Sequence, residues 1–185
     1  MTAQEEHMIE ILTTAFQNNK SVNFIVKQDK KREQRLRLLI EYSIFYGKSF
    51  GELRLNEDKT ACAIIVDSEK KKTTIRSIIW DLRLIFGCVG ITNVSKILRR
   101  EKAIQAQLPK VPFLHLWYIG VNPSTQGSGE GSKLLLEILE TAKKQNKVLQ
   151  LETSTPRNFP FYEKRGFNEL ARITEFGYEM RVYRG

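Results

Sequence analysis

Hydrophobic and polar positions along the chain repeat with two periods, and each change of period marks a predicted element. A spacing of three to four residues predicts a first helix that ends near Phe16, with Thr2 and Glu5 as its capping box. A second amphipathic helix follows Asp29, which we expect to cap it. The short apolar piece 22–26 between the two helices fits either an edge strand or a helical link.

Alternation with a period of two then predicts a β-hairpin, with strands at 52–55 and 61–66 joined by a turn at 56–59. Two further helical patterns, at 75–86 and 94–104, separate this hairpin from the next strand. The pattern leaves open whether these two helices roof a pocket or only pack against the core.

The C-terminal half of the chain alternates between strands and helices. In chain order, the predicted elements are a strand at 113–121, a glycine-rich turn, a helix at 129–144, a strand at 147–153, a short helix at 161–164 and a hairpin of strands 167–171 and 176–183. No internal repeat, low-complexity segment or linker interrupts this series. The order predicts a single domain of mixed α/β class over residues 1–185.

Composition limits the partners that we expect. A chain of 185 residues that is 41% hydrophobic is long enough for one sizeable core. Its net charge of +9 favours an anionic partner, such as nucleic acid, anionic lipid or a polyphosphate cofactor. The basic residues accompany no RNP-like motif or basic recognition helix, so we expect no nucleic-acid partner. No apolar run approaches the roughly 18 residues of a membrane span, so we expect no membrane partner.

Cys62 and Cys88 both lie in apolar stretches, which predicts buried free thiols and neither a disulfide nor a metal site. The first residues are polar and acidic and lack the pattern of a secretory signal. We therefore expect a reduced, cytoplasmic location.

The glycine-rich turn carries the clearest chemistry. Glycines at 127, 129 and 131 come between a strand and a helix, so backbone N–H groups can converge there on a phosphate group. A Walker A loop is excluded because Lys133 follows Ser132 instead of preceding a hydroxyl residue. A dinucleotide fingerprint fits poorly because Ser132 replaces its third glycine, although Glu152 lies at roughly the spacing of a ribose-binding acid.

Two motifs together resemble the Gcn5-related acetyltransferases, the GNAT family. The segment 126–131, Gln-Gly-Ser-Gly-Glu-Gly, resembles the family's pyrophosphate loop, and 161–167, Phe-Tyr-Glu-Lys-Arg-Gly-Phe, resembles its second signature. The segment 151–162 is similar to the puromycin acetyltransferase-like branch. The resemblance covers about 114–167. It departs from the family pattern seven residues before Tyr162, where many members have an asparagine and this chain has Thr155.

The resemblance implies a GNAT fold, with a central, mostly antiparallel twisted sheet flanked by helices and two extra helices before the cofactor-binding strand. It implies acetyl-CoA as the cofactor and Tyr162 as the acid that protonates the leaving thiolate; the alternative for Tyr162 is a buried aromatic residue. Asn158 is near the expected asparagine position but offset from it. The residues expected to bind the cofactor are Ile119, Gly120, Val121, Gln126, Gly127, Ser128, Gly129, Glu130, Gly131, Ser132, Asn158 and Phe161.

Attack on a thioester requires a neutral nucleophile, so a base must accept a proton. We expect His115 to be this base, because the period of two aligns it with Trp117, Ile119 and Val121 on one strand face. It also precedes Val121 by six residues, as does a histidine implicated in proton removal in serotonin N-acetyltransferases. Glu152 is the second candidate. The alternatives are a structural histidine and an ion pair at a strand end.

These observations predict an enzyme that moves the acetyl group of acetyl-CoA to an amine of a small molecule, or of a protein or peptide, by direct attack in a ternary complex. The alternative is a domain that binds acyl-CoA without turnover, as a sensor or scaffold. We expect a monomer or a homodimer and no metal.

Overall fold

The computed structural model describes residues 1–185 and contains one six-stranded sheet. Its strands are β1 (Gly51–Leu55), β2 (Ala61–Asp67), β3 (Phe113–Val121), β4 (Val148–Thr153), β5 (Asn168–Ile173) and β6 (Met180–Arg184). They are ordered β1-β2-β3-β4-β6-β5, and only β3 and β4 run parallel to each other. The prediction of a mixed α/β fold with a mostly antiparallel central sheet is confirmed.

Seven helices surround the sheet. They are α1 (Ala3–Phe16), α2 (Lys20–Ile25), α3 (Arg32–Phe50), α4 (Ile75–Leu84), α5 (Val94–Gln105), α6 (Glu130–Lys144) and α7 (Phe159–Glu163). The predicted capping box of α1 is present, since Thr2 and Glu5 exchange side-chain and backbone hydrogen bonds. The ambiguous piece 22–26 belongs mostly to α2, because the side chain of Asn19 accepts the Val22 N–H and caps a helix there.

The prediction that Asp29 caps the second long helix is wrong. Helix α3 begins at Arg32, and its cap residue Lys31 makes no side-chain cap hydrogen bond. Asp29 instead accepts a hydrogen bond from the backbone N–H of Lys31. It also accepts a bidentate contact from the Arg35 guanidinium, at 2.9 and 2.7 Å. These contacts lower the pKa of Asp29 to about 2, chiefly through the hydrogen bond from Arg35.

The two faces of the sheet carry separate cores. On one face, α6 packs through Leu135 and Ile138 onto alternate residues of β2, including Ala63 and Ile65. On the other face, α1 and α3 cover the intervening residues of β2, Cys62 and Ile64. Both cysteines are buried free thiols, as predicted. Strand β2 is therefore buried on both sides, which fits its unbroken apolar sequence.

Strand β3 contains a β-bulge at Trp117. Ile64 of β2 faces Tyr118 while Ile65 faces Leu116, so Trp117 is the extra residue. Beyond the bulge β3 also leaves β4, because their parallel pairing ends at Leu116 and Leu151. The two strands diverge from this point, and the gap between them is the centre of the site described below.

Helix α4 continues through a π turn, Ile85–Val89, into a short 3₁₀ turn and α5. No single helix is long and apolar enough to cross a membrane, and only the bent pair 75–89 and 91–105, with an angle of 97°, passes on length and composition.

Candidate functional site

Two cavities meet where β3 and β4 diverge. The first, of about 870 Å³, lies among the end of α1, the glycine-rich turn and the start of α6, and we call it the glycine cleft. The second, of about 550 Å³, lies between the sheet and α3 and is roofed by α4 and α5; we call it the roofed cavity. The residues that line both cavities are Phe16, Asn19, Ile119, Asn158 and Tyr162. The two helices whose role the sequence left open do roof a cavity.

The glycine-rich turn presents free backbone N–H groups beside the glycine cleft. Gly127 and Gly129 have φ of +96° and +89°, values that a residue with a Cβ adopts only with strain. The N–H groups of Gly127, Gly129, Glu130 and Gly131 make no hydrogen bond within the protein, and no side chain caps α6. Free N–H groups at the N-terminus of a helix attract phosphate groups through their hydrogen bonds and the helix dipole.

Gly131 brings the start of α6 against β3. A Cβ at this position would lie 2.9 Å from Cγ2 of Val121, which is closer than packed carbon atoms approach. The absence of a side chain therefore sets the distance between the helix N-terminus and the strand that borders the cleft.

Two arginines that the sequence reasoning did not single out, Arg157 and Arg165, also line the glycine cleft. The guanidinium of Arg165 donates to the carbonyl of Phe161 at 2.7 Å and lies 3.8 Å from the centre of that ring. It also donates to the hydroxyl of Ser132 at the start of α6. The cleft thus combines free N–H groups with fixed positive charge, a combination suited to a polyphosphate.

Most of the residues predicted to bind the cofactor line the glycine cleft. They are Ile119, Gly120, Val121, Gln126, Gly127, Gly129, Gly131, Ser132, Asn158 and Phe161. Ser128 and Glu130 do not line it, and the Glu130 carboxylate accepts hydrogen bonds from Asn56 at 2.8 Å and Lys133 at 2.7 Å. Only the backbone N–H of Glu130 is free, so its side chain is not expected to bind a ligand.

The edge of β3 from Trp117 to Val121 has free backbone groups. One edge of this stretch pairs with β2, but the other has no strand partner because β4 has diverged. Its N–H and C=O groups therefore border the gap between the strands. An extended ligand with amide groups can add to such an edge as another strand would.

Tyr162 lies at the junction of the two cavities. Its ring is buried, 5% exposed, and packs against Phe161, Phe167 and Tyr183. Its hydroxyl makes no hydrogen bond within the protein, yet it is not among the fully buried unpartnered atoms, so it faces the cavities. Burial raises the pKa of this phenol, with a smaller contribution from Tyr183. Tyr162 is therefore a neutral, free proton donor at neutral pH.

The prediction that His115 shares a face with both Ile119 and Val121 is wrong, and the bulge is the reason. His115 and Trp117 lie on the face toward α3, whereas Ile119 and Val121 pack with the α6 core. The extra residue at Trp117 reverses the alternation. His115 consequently lines the roofed cavity and not the glycine cleft.

His115 is held from both sides. The indole N–H of Trp117 donates to Nδ1 of His115 at 3.1 Å, and Nε2 of His115 lies 2.7 Å from Oε2 of Glu152. The hydrogen bond from Trp117 assigns the neutral tautomer with its proton on Nε2, donated to Glu152. Neither ring nitrogen is left to accept a proton from a substrate. In this arrangement Glu152, the second candidate, is the available base.

Glu152 is ionised in the roofed cavity. Burial would raise its pKa, but the electrostatic interaction and hydrogen bond with His115, the hydrogen bond from Gln150 and the positive charge of Arg100 together lower it below the usual range. Arg100 is itself buried, 7% exposed, with hydrogen bonds to Tyr178 and Ser21. The carboxylate is therefore a fixed negative charge in an enclosed space.

The opposite wall of the roofed cavity has a second carboxylate among aromatic rings. Asp81 of α4 accepts hydrogen bonds from the hydroxyls of Tyr42 at 2.9 Å and Tyr46 at 3.0 Å. The ring of Tyr46 stacks on Trp117 at 5.4 Å. Asp81 forms no ion pair with any basic side chain. Negative charge on aromatic walls favours a cation with an apolar body.

The site residues that could not be identified from the sequence alone have only weak local signals. Arg165 stands inside the second motif, and Arg157 between Pro156 and Asn158, but an arginine near a motif is usually only a surface residue. Asp81 lies on the side of its helix opposite the regularly spaced apolar residues, so the pattern alone would place it toward solvent. Trp117 and Tyr118 also line the roofed cavity.

The glycine cleft, whose free N–H groups and arginines suit a polyphosphate, joins a second cavity at one free tyrosine. Such an arrangement can bring two ligands together. The model of the Acetyltransferase (GNAT) family matches residues 38–167, and the chain belongs to this family.

Solved structures support the same fold. A histone acetyltransferase HPA2 and related acetyltransferase from Corynebacterium glutamicum superposes with a TM-score of 0.70 at 20% identity, over 100% of this chain and 91% of that one. Arylalkylamine N-acetyltransferase 2 from Aedes aegypti gives a TM-score of 0.65 at 15% identity, over 100% and 95%. The NatC complex bound to Gag peptide and CoA gives 0.57 at 9% identity, over 100% and 91%. At these identities the likeness concerns the fold alone.

Proposed function

We propose that this acetyltransferase moves the acetyl group of acetyl-CoA directly to the amine of a small molecule with an apolar body. The observation that carries the proposal is the position of Tyr162, whose free hydroxyl lies where the glycine cleft and the roofed cavity meet. A donor in one cavity and an acceptor in the other would react beside this hydroxyl. Direct transfer needs both ligands at once, which two joined cavities permit.

The residues of the glycine cleft fit coenzyme A. The free N–H groups of the 127–131 turn would hold the pyrophosphate, with Arg157 and Arg165 adding positive charge. The free edge of β3 at 117–121 would pair with the amides of the pantetheine arm. Bound in this way, acetyl-CoA supplies an activated thioester. The NatC complex, which has a similar fold, was solved with CoA.

The walls of the roofed cavity favour an amine on an apolar body as acceptor. Glu152 and Asp81 would attract the ammonium group, while Tyr42, Tyr46 and Trp117 would contact the apolar part. The fold neighbour from Aedes aegypti is named for arylalkylamines, which have this chemistry. The similarity to the puromycin acetyltransferase-like branch stays a prediction about ancestry and names no substrate.

Proton transfer would involve two residues in direct contact with the reactants. Glu152 would take the proton that the ammonium must lose before attack, and His115 would hold the carboxylate in place. Free backbone N–H groups of β3 would stabilise the negative charge that develops on the carbonyl oxygen. Tyr162 would donate its proton to the departing thiolate and would recover one from the proton that the new amide nitrogen loses. A phenol, with an ordinary pKa of about 10, is a weaker acid than a thiol, with one of about 8.5, so this transfer requires the hydroxyl to lie within hydrogen-bond reach of the sulfur. The joint cavity provides that reach.

The test is incubation of the purified protein with acetyl-CoA and a panel of amines, with release of the free thiol measured by a colorimetric reagent. The panel compares phenethylamine and tryptamine with spermidine and with a peptide that has a free N-terminus. We expect turnover with the first pair, and mass spectrometry should find a product heavier by one acetyl group. Binding of acetyl-CoA by calorimetry is measured in parallel.

Tight binding of acetyl-CoA without thiol release for any amine would contradict the enzyme and support the acyl-CoA sensor. Turnover only with the peptide or with spermidine would keep the enzyme but reject the apolar acceptor. Absence of binding to acetyl-CoA would reject the cofactor itself.

A further inference from the structure

Helix α4 presents its apolar face to solvent. The exposed residues Ile75, Ile78, Ile79, Leu82 and Phe86 follow one another at helical spacing, and we call them the α4 stripe. Ile75 is 80% exposed and Phe86 is 62% exposed. Exposed apolar residues occur singly on most proteins, but a continuous row of large ones marks a surface that binds something.

The orientation of α4 follows from its polar residues. Its inward face carries Ser77, which is buried, and Asp81, which accepts hydrogen bonds from Tyr42 and Tyr46 of α3. If α4 were rotated about its axis so that the stripe became buried, these contacts would break and the two tyrosine hydroxyls would face apolar side chains. The hydrogen bonds therefore hold the stripe outward.

Positive charge is concentrated in the segment of the chain that contains the stripe. Residues 70–110 contain ten Lys or Arg and two Asp or Glu, a net charge of +8, whereas the remaining residues contain twenty and nineteen, a net charge of +1. Of the ten basic residues only Lys70, Arg83 and Arg100 form ion pairs. The other seven, which include Arg76 on α4 itself, have no acidic partner.

We propose that the α4 stripe and the exposed basic residues of 70–110, which exclude the buried Arg100, bind the surface of an anionic lipid bilayer. An amphipathic helix whose apolar side chains are bordered by Lys and Arg lies in the interface, with the apolar groups below the headgroups and the cations against the phosphates. A second copy of the chain is a poorer occupant, because two such surfaces would place a charge of +8 against the same charge.

Binding of this kind does not require a membrane span. The expectation of no membrane partner rested on the lack of a long apolar run, which bears on crossing the bilayer and not on resting against it. Leu98 of α5 is 63% exposed and also lines the roofed cavity, so the mouth of that cavity is beside the proposed surface.

The experiment is co-sedimentation of the full chain with vesicles of phosphatidylcholine alone and of phosphatidylcholine mixed with phosphatidylglycerol. The test variant is Ile79→Ser with Phe86→Ser, and the matched control is Leu136→Ser with Leu170→Ser, which changes exposed apolar residues on α6 and β5. Circular dichroism and a melting curve confirm that both variants fold. The wild type, the test variant and the control are each measured with both kinds of vesicle, at low and at high salt.

We expect binding only to the anionic vesicles, weaker at high salt, and unchanged in the control. The test variant should bind at least about tenfold more weakly, because two large apolar side chains no longer enter the lipid. No binding to anionic vesicles, equal binding to neutral ones, or equal loss in the control would overturn the proposal. So would binding to polyglutamate or heparin as tight as to vesicles, or a dimer in light scattering that the test variant abolishes.

Discussion

Removal of the Tyr162 hydroxyl is the most direct perturbation of the proposed chemistry. Tyr162→Phe keeps the ring that packs against Phe161, Phe167 and Tyr183, and removes only the oxygen that faces the cavities. Because that oxygen has no hydrogen-bond partner in the protein, its loss leaves no buried group unsatisfied. The free energy of unfolding should change by less than about 1 kcal/mol.

The catalytic effect should be far larger than the effect on stability. A positioned general acid contributes roughly 10²–10⁴ in rate, which corresponds to about 2.7–5.4 kcal/mol of transition-state stabilisation. The thiolate needs its proton only as it leaves, so the loss should fall on kcat. Binding of acetyl-CoA should be nearly unchanged, since the free N–H groups of the 127–131 turn are untouched.

The assay follows thiol release at saturating amine and acetyl-CoA, with cofactor affinity measured separately by calorimetry. Tyr183→Phe is the matched control, because its hydroxyl donates to Glu163 at 2.8 Å and lines neither cavity. The control should lose about 1 kcal/mol of stability and keep its kcat. An unchanged kcat in Tyr162→Phe would remove this residue from the mechanism, and equal losses in both variants would point to packing.

Three further predictions concern other parts of the molecule. Because the Glu152 carboxylate is the proposed base, Glu152→Gln should lower kcat/KM by roughly 10²–10⁴, as steady-state kinetics will check; an unchanged kcat/KM would remove Glu152 from the mechanism. Gly131→Ala places a Cβ 2.9 Å from Val121 and should destabilise the fold by about 1–3 kcal/mol and raise the KM for acetyl-CoA more than it lowers kcat, as thermal melts and kinetics will check. Lys147→Met leaves the buried Asp67 carboxylate with only the more distant Lys70, at 3.8 Å, in place of its partner at 2.8 Å, and should cost up to about 3–5 kcal/mol in urea unfolding near neutral pH. Burial opposes ionisation of Asp67, but the interaction with Lys147 outweighs burial and lowers the pKa of the carboxyl group. The stability that this pair contributes is therefore full above about pH 3.9 and is lost as the pH falls through the lowered pKa. A stability difference between the variant and the wild type that persisted unchanged into strong acid would contradict this.

The order of helices and strands could be predicted because it depends on local periodicity. The hairpin of β1 and β2, the strand β3 and the helix α6 all appear where alternation or helical spacing placed them. Capping depended on more than local pattern. Thr2 caps α1 as predicted, but the carboxylate of Asp29 accepts hydrogen bonds from the Arg35 side chain of α3 instead of capping that helix. Competition between partners is not visible in the spacing.

The site was predictable only in part for the same reason. The glycine-rich turn and Tyr162 belong to motifs that are contiguous in sequence, and both lie at the cavities. The relation of His115 to its strand depended on the bulge, which arises from the pairing of β3 with β2 and leaves no mark in β3 alone. The acceptor wall draws on α3, α4 and β4, so Asp81 meets Tyr42 only in the folded chain.

The bulge at Trp117 also limits how this strand can change in length. One residue fewer at this point would restore regular alternation and exchange the sides of every residue on one flank, taking His115 away from Glu152 or Val121 away from Gly131. Insertions or deletions within 113–121 would have to come in even numbers to keep both sets of contacts. In related chains we therefore expect length variation to fall in the turns around β3, and substitution alone within the strand.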